Sequence, residues 1–240
     1  YNIANMILAT ILSIIVVVVI IYLLFQLFNS NKGNLSDKMP GNQEKIIKPS
    51  SLSSYSNSNN YTYSIWFYID NWNYRYGEPK IILGSLDSNK NPSPSITLAP
   101  MQNDINISLT CYPKDKSKKH IIHTCTLENV PLQTWSNLVV SLDGRSLDVY
   151  LNGKLVKTCV LPGVAKISTN AKIHITPGGG FSGYTSHLEY KSKSSNPSEV
   201  WQIYKKNASI ANGGLANAAS KYKVKVALMD NNKEEKSFQF

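Results

Sequence analysis

Residues 135–162 read WSNLVVSLDGRSLDVYLNGKLVKTCVLP, and the fold follows from this stretch. Apolar and polar side chains alternate, and the alternation breaks twice, at Asp143-Gly144 and Asn152-Gly153, dipeptides that accept the positive φ of tight hairpin turns. The pattern predicts three short antiparallel strands in a meander. Leu138, Val140 and Leu142 fall on one face of the first strand, and Leu147, Val149 and Leu151 share a face of the second. One face is expected to be core and the other wet. A half-buried sheet needs a second sheet across its apolar face, which is the arrangement of a β-sandwich.

Outward from the meander, residues 63–69, 80–86, 95–99, 105–111, 120–127, 170–176 and 184–190 also read as strands, separated by Gly, Pro, Asn and Asp clusters. That spacing favours a sandwich over βαβ units. Pro197-Ser198-Glu199 marks the start of one short helix. The run Pro177-Gly178-Gly179-Gly180 is a connection rather than a phosphate loop, since no Gly-Lys-Ser/Thr follows it.

Three ordered matches resemble one family. The meander with Val149-Tyr150-Leu151-Asn152-Gly153, the aromatic strand Tyr63-Ser64-Ile65-Trp66-Phe67-Tyr68-Ile69, and the pair Phe181-Ser182-Gly183-Tyr184 and Glu199-Val200-Trp201-Gln202-Ile203-Tyr204 are similar to the laminin-G/concanavalin A-like jelly rolls. The resemblance implies an all-β jelly-roll sandwich over residues 60–207. It implies no single function, because members bind sugars, proteins or lipids.

Residues 1–28 are expected to be a transmembrane anchor. From Met6 through Ile15 to Phe25 the chain is apolar except for Thr10 and Ser13, with no charge before Lys32. At about 1.5 Å per residue, ~20 helical residues span the ~30 Å hydrocarbon layer. A signal peptide has a shorter apolar region with a basic start. Lys32, Lys38, Lys45 and Lys48 follow the span, so the charge bias places the downstream domain on the cytoplasmic side of a single-pass membrane protein. Residues 29–59, rich in Ser, Asn and Lys, are expected to be a flexible linker. Residues 208–240 form a C-terminal extension in which 222–229 reads as one extra strand.

Hydrolysis on this fold needs two carboxyl groups about 5 Å apart, and no Glu-x-Asp-x-x-Glu arrangement occurs; Asp143, Asp148, Glu189 and Glu199 read as surface acids. Cys111, His120, His123 and Cys125 are a weak zinc set, because strand alternation turns His120 away from His123 and Cys125. Asp87, Asn89 and Asn91 could contribute to a rim calcium site but suit a turn better. Lys114, Lys116, Lys118, Lys119 and His120 concentrate the net charge of +10, yet no aromatic-basic pattern accompanies them, so no nucleic-acid partner is expected. No cofactor is expected either. Three cysteines leave at least one unpaired; a Cys111–Cys125 bridge is conceivable, while the odd count fits a reducing compartment. Sequons stand at Asn34, Asn60, Asn106 and Asn207.

These readings lead to a non-enzymatic, membrane-anchored structural or binding module. It resembles membrane-anchored jelly-roll proteins of large DNA viruses. That resemblance implies a minor capsid or virion protein tethering an internal membrane to a protein shell, with a lipid bilayer and neighbouring structural proteins as partners. The alternative is a membrane-anchored lectin or adhesion receptor that binds glycans. Trp72, Tyr74 and Tyr76 are its candidate contacts, because exposed aromatic rings stack on sugars.

Overall fold

The computed structural model describes residues 7, 10–22, 33–52, 60–86, 91–113, 120–168, 171–211, 225–230 and 233–239. Two six-stranded antiparallel sheets face each other. The first has the order β1-β12-β3-β8-β9-β10 and the second β2-β11-β4-β5-β6-β7. The first is built from β1 (Met39–Pro40), β3 (Tyr61–Asn71), β8 (Ser136–Asp143), β9 (Ser146–Leu151), β10 (Lys154–Val160) and β12 (Ser182–Lys191). The second comprises β2 (Lys45–Ile47), β4 (Lys80–Leu86), β5 (Pro92–Leu98), β6 (Ile105–Cys111), β7 (Ile121–Leu127) and β11 (Ile173–Ile175).

The meander forms as the alternation requires. Val140 of β8 pairs with Val149 of β9, and Leu142 with Leu147, so the inward side chains of both strands enter one core. Asn152 and Gly153 both have positive φ, 51° and 77°, which is the signature of a type I′ turn. At the other turn Gly144 has φ 57° and occupies the first of two central positions, the placement a II′ turn uses. Opposite them, Ile96, Leu98, Ile105, Ile107 and Leu109 close the core from the second sheet.

The outer face of the first sheet is not simply wet. Val139 and Tyr150 are buried beneath Val200 of helix α2 (Pro197–Ala211), and Trp66 is 1% exposed with its ring stacked on Tyr204 at 5.5 Å. The expectation of one wet face fails here because an amphipathic helix covers half of it. The Asn196 carboxamide accepts from the Glu199 amide at 2.9 Å and the Glu199 carboxylate accepts from the Asn196 amide at 3.3 Å, a reciprocal cap that starts the helix where the Pro-Ser-Glu run predicts.

The linker expectation is corrected for residues 35–52. Met39 and Pro40 pair with Thr185 and Tyr184 at one edge, and residues 45–47 pair with β11 in the other sheet, so this segment contributes a strand to each. Such short strands carry no periodic signal, and the ladder of their neighbours orders them. Residues 53–59 lie outside the described residues.

Beyond α2, β13 (Lys225–Asp230) pairs with β14 (Lys233–Gln239) in a separate two-stranded sheet, where one extra strand was expected. The N-terminal unit contains helix α1 at residues 10–22, whose side chains are all exposed, Ile15 at 52%. Met6 and Phe25 lie outside the described residues. No helix among the described residues is long and apolar enough to cross a membrane.

Candidate binding site

The uncovered half of the first sheet's outer face carries three aromatic rings. Along β3 the inward residues are Ile65, Phe67 and Ile69, so Trp66, Tyr68 and Asp70 point outward. Tyr68 pairs across the ladder with Tyr184 of β12, their rings 6.4 Å apart and tilted by 51°. Trp135, just before β8, lies on the other side of Tyr68 at 5.8 Å and 49°. Tyr184 is 41% exposed and Trp135 is half-buried. Together the rings form a tilted platform rather than a closed core. Lys38 Nζ sits above it, 4.8 Å from the Tyr184 ring centre and 5.6 Å from that of Trp135.

Beside the platform is an open cleft of about 300 Å³ lined by Pro40, Asn42, Asp70, Tyr74, Ser182, Gly183 and Tyr184. Its floor depends on Gly183. This residue has φ +147° at an irregularity in the β12–β3 ladder, and a Cβ there would stand 1.9 Å from the Tyr68 carbonyl oxygen. Only glycine lets the two strands close. One wall is the turn after β3, held because the Tyr74 hydroxyl donates to the Gly179 carbonyl at 3.0 Å and the Arg75 guanidinium donates to that of Gly178. A carboxylate, a carboxamide and three hydroxyl-bearing side chains, those of Tyr74, Ser182 and Tyr184, thus converge next to partly exposed rings. Convergent polar groups can take the hydroxyls of a polyol while the rings take its C–H face.

Of the three residues proposed from sequence, the structure brings one to this cleft. Tyr74 lines it. Trp72 packs against the core with the Lys80 ammonium 4.9 Å over its ring, and Tyr76 is 59% exposed without being a lining residue. Sequence reasoning missed Tyr68, Asp70, Trp135 and Tyr184. The signal was the parity of the strands: Trp135 shares its parity with Val139, opposite to Leu138, so alternation alone assigns it outward.

The other candidates resolve into structural roles. Cys125 is bonded to Cys159, which corrects both the conceivable Cys111–Cys125 bridge and the expectation of reduced thiols. Cys111 pairs with Ile121 and Cys125 with Ile107, four residues apart along the ladder, so the first bridge had no geometry to form. Cys111 remains a buried free thiol, and burial raises its pKa. Among the described residues no group of three or more His, Cys, Asp or Glu could hold a metal ion. Asp87 and Asn89, and the lysines of 114–119, lie outside the described residues.

The carboxylates are engaged in the scaffold. Asp143 accepts from Asn60 at 3.0 Å, Asp148 from Thr158 at 2.7 Å, and Glu189 from Asn207 at 2.9 Å. Lys193 donates to Glu199 at 3.1 Å, and this bond is the main cause that lowers the Glu199 pKa. Asn207 is fully buried, so its sequon is closed to an oligosaccharide in the folded chain.

Comparison with known proteins agrees with this architecture. Residues 40–200 match the family described as the Concanavalin A-like lectin/glucanases superfamily. No curated protein matches the chain. Among solved structures, the receptor binding domain of botulinum neurotoxin C/D mosaic serotype is similar at 14% identity and a TM-score of 0.52, covering 70% of this chain and 41% of that one. The binding domain of botulinum neurotoxin serotype D matches at 12% identity and a TM-score of 0.54, covering 70% of this chain and 41% of that one. The binding domain of botulinum neurotoxin DC, solved in complex with rat synaptotagmin II, matches at 13% and 0.52, covering 71% and 42%. The chain therefore spans about two fifths of those structures, and at such identities the likeness is one of fold. With its two facing antiparallel sheets and a family match over residues 40–200, the chain belongs to the Concanavalin A-like lectin/glucanases superfamily.

Proposed function

We propose that the protein is a lectin-type binding module that recognises a glycan on the Tyr68, Trp135 and Tyr184 platform and in the adjoining cleft. The observation that carries this reading is the partly exposed ring set, with Tyr184 at its open edge, beside converging Asp70, Asn42 and Ser182. The structural neighbours are named as binding domains, one of them a receptor binding domain, which supports recognition as the general role. Hydrolysis would need two carboxyl groups on the substrate, whereas Asp70 is the single acid among the cleft's lining residues. A glycan array probed with the full chain tests the reading. Binding is expected for the wild type and at least tenfold weaker binding for Tyr184→Ala and Asp70→Asn, each removing ~1.4 kcal/mol or more; equal binding by all three contradicts it.

A tether between a membrane and a neighbouring protein layer, as in a virion, is the second reading, and one observation favours its membrane half. Every described side chain of α1 is exposed, and the two polar interruptions turn back on the helix: Thr10 donates to the Ile7 carbonyl and Ser13 to that of Thr10, each at 2.8 Å. A helix whose polar groups are satisfied internally suits hydrocarbon. Resistance of the chain to carbonate extraction, with copurification in fixed ratio with a membrane-containing particle, would support the tether. The Lys bias after residues 1–28 favours the cytoplasmic side, while the Cys125–Cys159 bond favours an oxidising one. The bond is the stronger indicator, and membrane-impermeant labelling of the domain in intact cells decides between them.

A further inference from the structure

We infer that the ligand of this platform is an anionic glycan, whose carboxylate or sulfate pairs with Lys38; the inference rests on the lectin reading above. Lys38 is exposed and is placed by the residues after it, since Met39 and Pro40 are locked into the β1–β12 ladder opposite Thr185 and Tyr184. Among the described residues Lys38 makes no ion pair; its ammonium faces two ring faces, those of Tyr184 and Trp135. These are the faces on which a sugar ring would stack. An exposed cation–π contact is weak and the lysine stem is flexible, so a stacking ring displaces the ammonium without dislodging its backbone.

The displaced ammonium stays at the platform's rim with three donors to satisfy. A neutral sugar offers it hydroxyls that water already matches. A carboxylate or sulfate on the bound ring offers a charge-assisted bond beside apolar ring faces, where screening is reduced. Polarity along the site is set by Asp70, two residues beyond Tyr68 on the same face of β3 and so about 7 Å further along the strand. The anionic substituent belongs at the Lys38 end, and the free hydroxyls at the Asp70 end.

The test uses the full chain and matched oligosaccharides: a uronate with its carboxyl-reduced neutral form, and a sulfated glycan with its desulfated form. Wild type is expected to prefer the anionic member of at least one pair by about fivefold, with a preference that shrinks as salt rises. Lys38→Gln is expected to abolish the preference by weakening binding of the anionic member about fivefold more than binding of its neutral form. Lys38→Arg should retain it. The two pairs separate carboxylate from sulfate as the source. Equal binding of charged and neutral forms by wild type, or equal weakening of both by Lys38→Gln, overturns the inference and leaves the lectin reading standing. Failure of every glycan to bind overturns both.

Discussion

Cys125 on β7 is bonded to Cys159 on β10, with their Cα atoms 6.1 Å apart. Each of these strands is the last in its sheet, so one covalent bond ties the edge of the first sheet to the edge of the second. The two cysteines lie 34 residues apart, and a closed loop of that length restricts the unfolded chain by about 2–4 kcal/mol.

Reduction, or the double change Cys125→Ala and Cys159→Ala, is therefore expected to lower unfolding stability by ~2–4 kcal/mol with the fold retained. Denaturant titration reads the change. Thiol labelling adds a count: Cys111 is buried and burial raises its pKa, so it reacts only after unfolding. Identical midpoints for oxidised and reduced protein would contradict the role given to the bond.

Two tryptophans on the same outer face should respond in opposite ways. Trp66 is 1% exposed under Tyr204, so Trp66→Ala is expected to cost about 3–5 kcal/mol. Trp135 is half-buried at the platform, and Trp135→Ala should cost less than ~1.5 kcal/mol while glycan binding is lost. Thermal melts and a binding assay on the same two variants distinguish the roles. A melting temperature lowered more by Trp135→Ala than by Trp66→Ala would reverse the assignment.

Gly153 serves both the hairpin and the helix above it. Its φ is +77°, and a Cβ would come within 2.7 Å of Trp201 Cε3 and 3.0 Å of Tyr204 Cβ. Gly153→Ala is expected to destabilise by about 1–3 kcal/mol, through backbone strain and displacement of α2. Asn152→Asp, which tolerates the same positive φ and keeps an oxygen to accept the Asn137 amide, should change stability by less than ~1 kcal/mol. Comparable losses for the two variants would remove α2 from the explanation.

His187 sits in β12 at φ 49°, buried, with its Nδ1 2.6 Å from the Ser186 hydroxyl. Burial lowers its pKa from the ordinary value of 6.5, against the opposing pull of Asp37 and Glu189. The folded chain therefore holds the imidazole neutral where the unfolded chain would protonate it. The linked stability is fully present above pH 6.5 and is lost as the pH falls from there towards the lowered folded pKa. His187→Asn, which tolerates positive φ, should flatten that part of the profile. A stability profile unchanged by the substitution between pH 7 and pH 5 would show that the ring is already accessible to protons.

Much of the fold could be read because local chemistry and tertiary structure agree along the meander. Asn152-Gly153 forms the turn its composition demands, and Leu138, Val140 and Leu142 enter the core their parity assigns. The disulfide could not be read, because Cys125 and Cys159 meet where two sheet edges converge, a proximity no strand pairing encodes. The β1 and β2 strands were hidden in a Ser- and Lys-rich segment, since two or three residues show no period. At the site, alternation of polar and aromatic residues in Asn71-Trp72-Asn73-Tyr74-Arg75-Tyr76 drew attention to a turn. There positive φ at Arg75 redirects the chain, and only Tyr74 reaches the cleft. The platform instead joins two strands and the residue that leads into a third, and its members are 116 residues apart at the extremes, Tyr68 to Tyr184, in a ladder that only the folded sheet creates.

The central claim is that ligand recognition takes place on the half of the first sheet's outer face that α2 leaves uncovered. Backbone amide chemical-shift mapping of the isotope-labelled chain, titrated with a glycan that it binds, tests this most directly. The account predicts the largest shifts at Lys38, Tyr68, Asp70, Trp135, Ser182 and Tyr184, with little change on the opposite sheet. Shifts concentrated instead on Ser95, Ser108 and Thr124, which line the outer face of that opposite sheet, would contradict it.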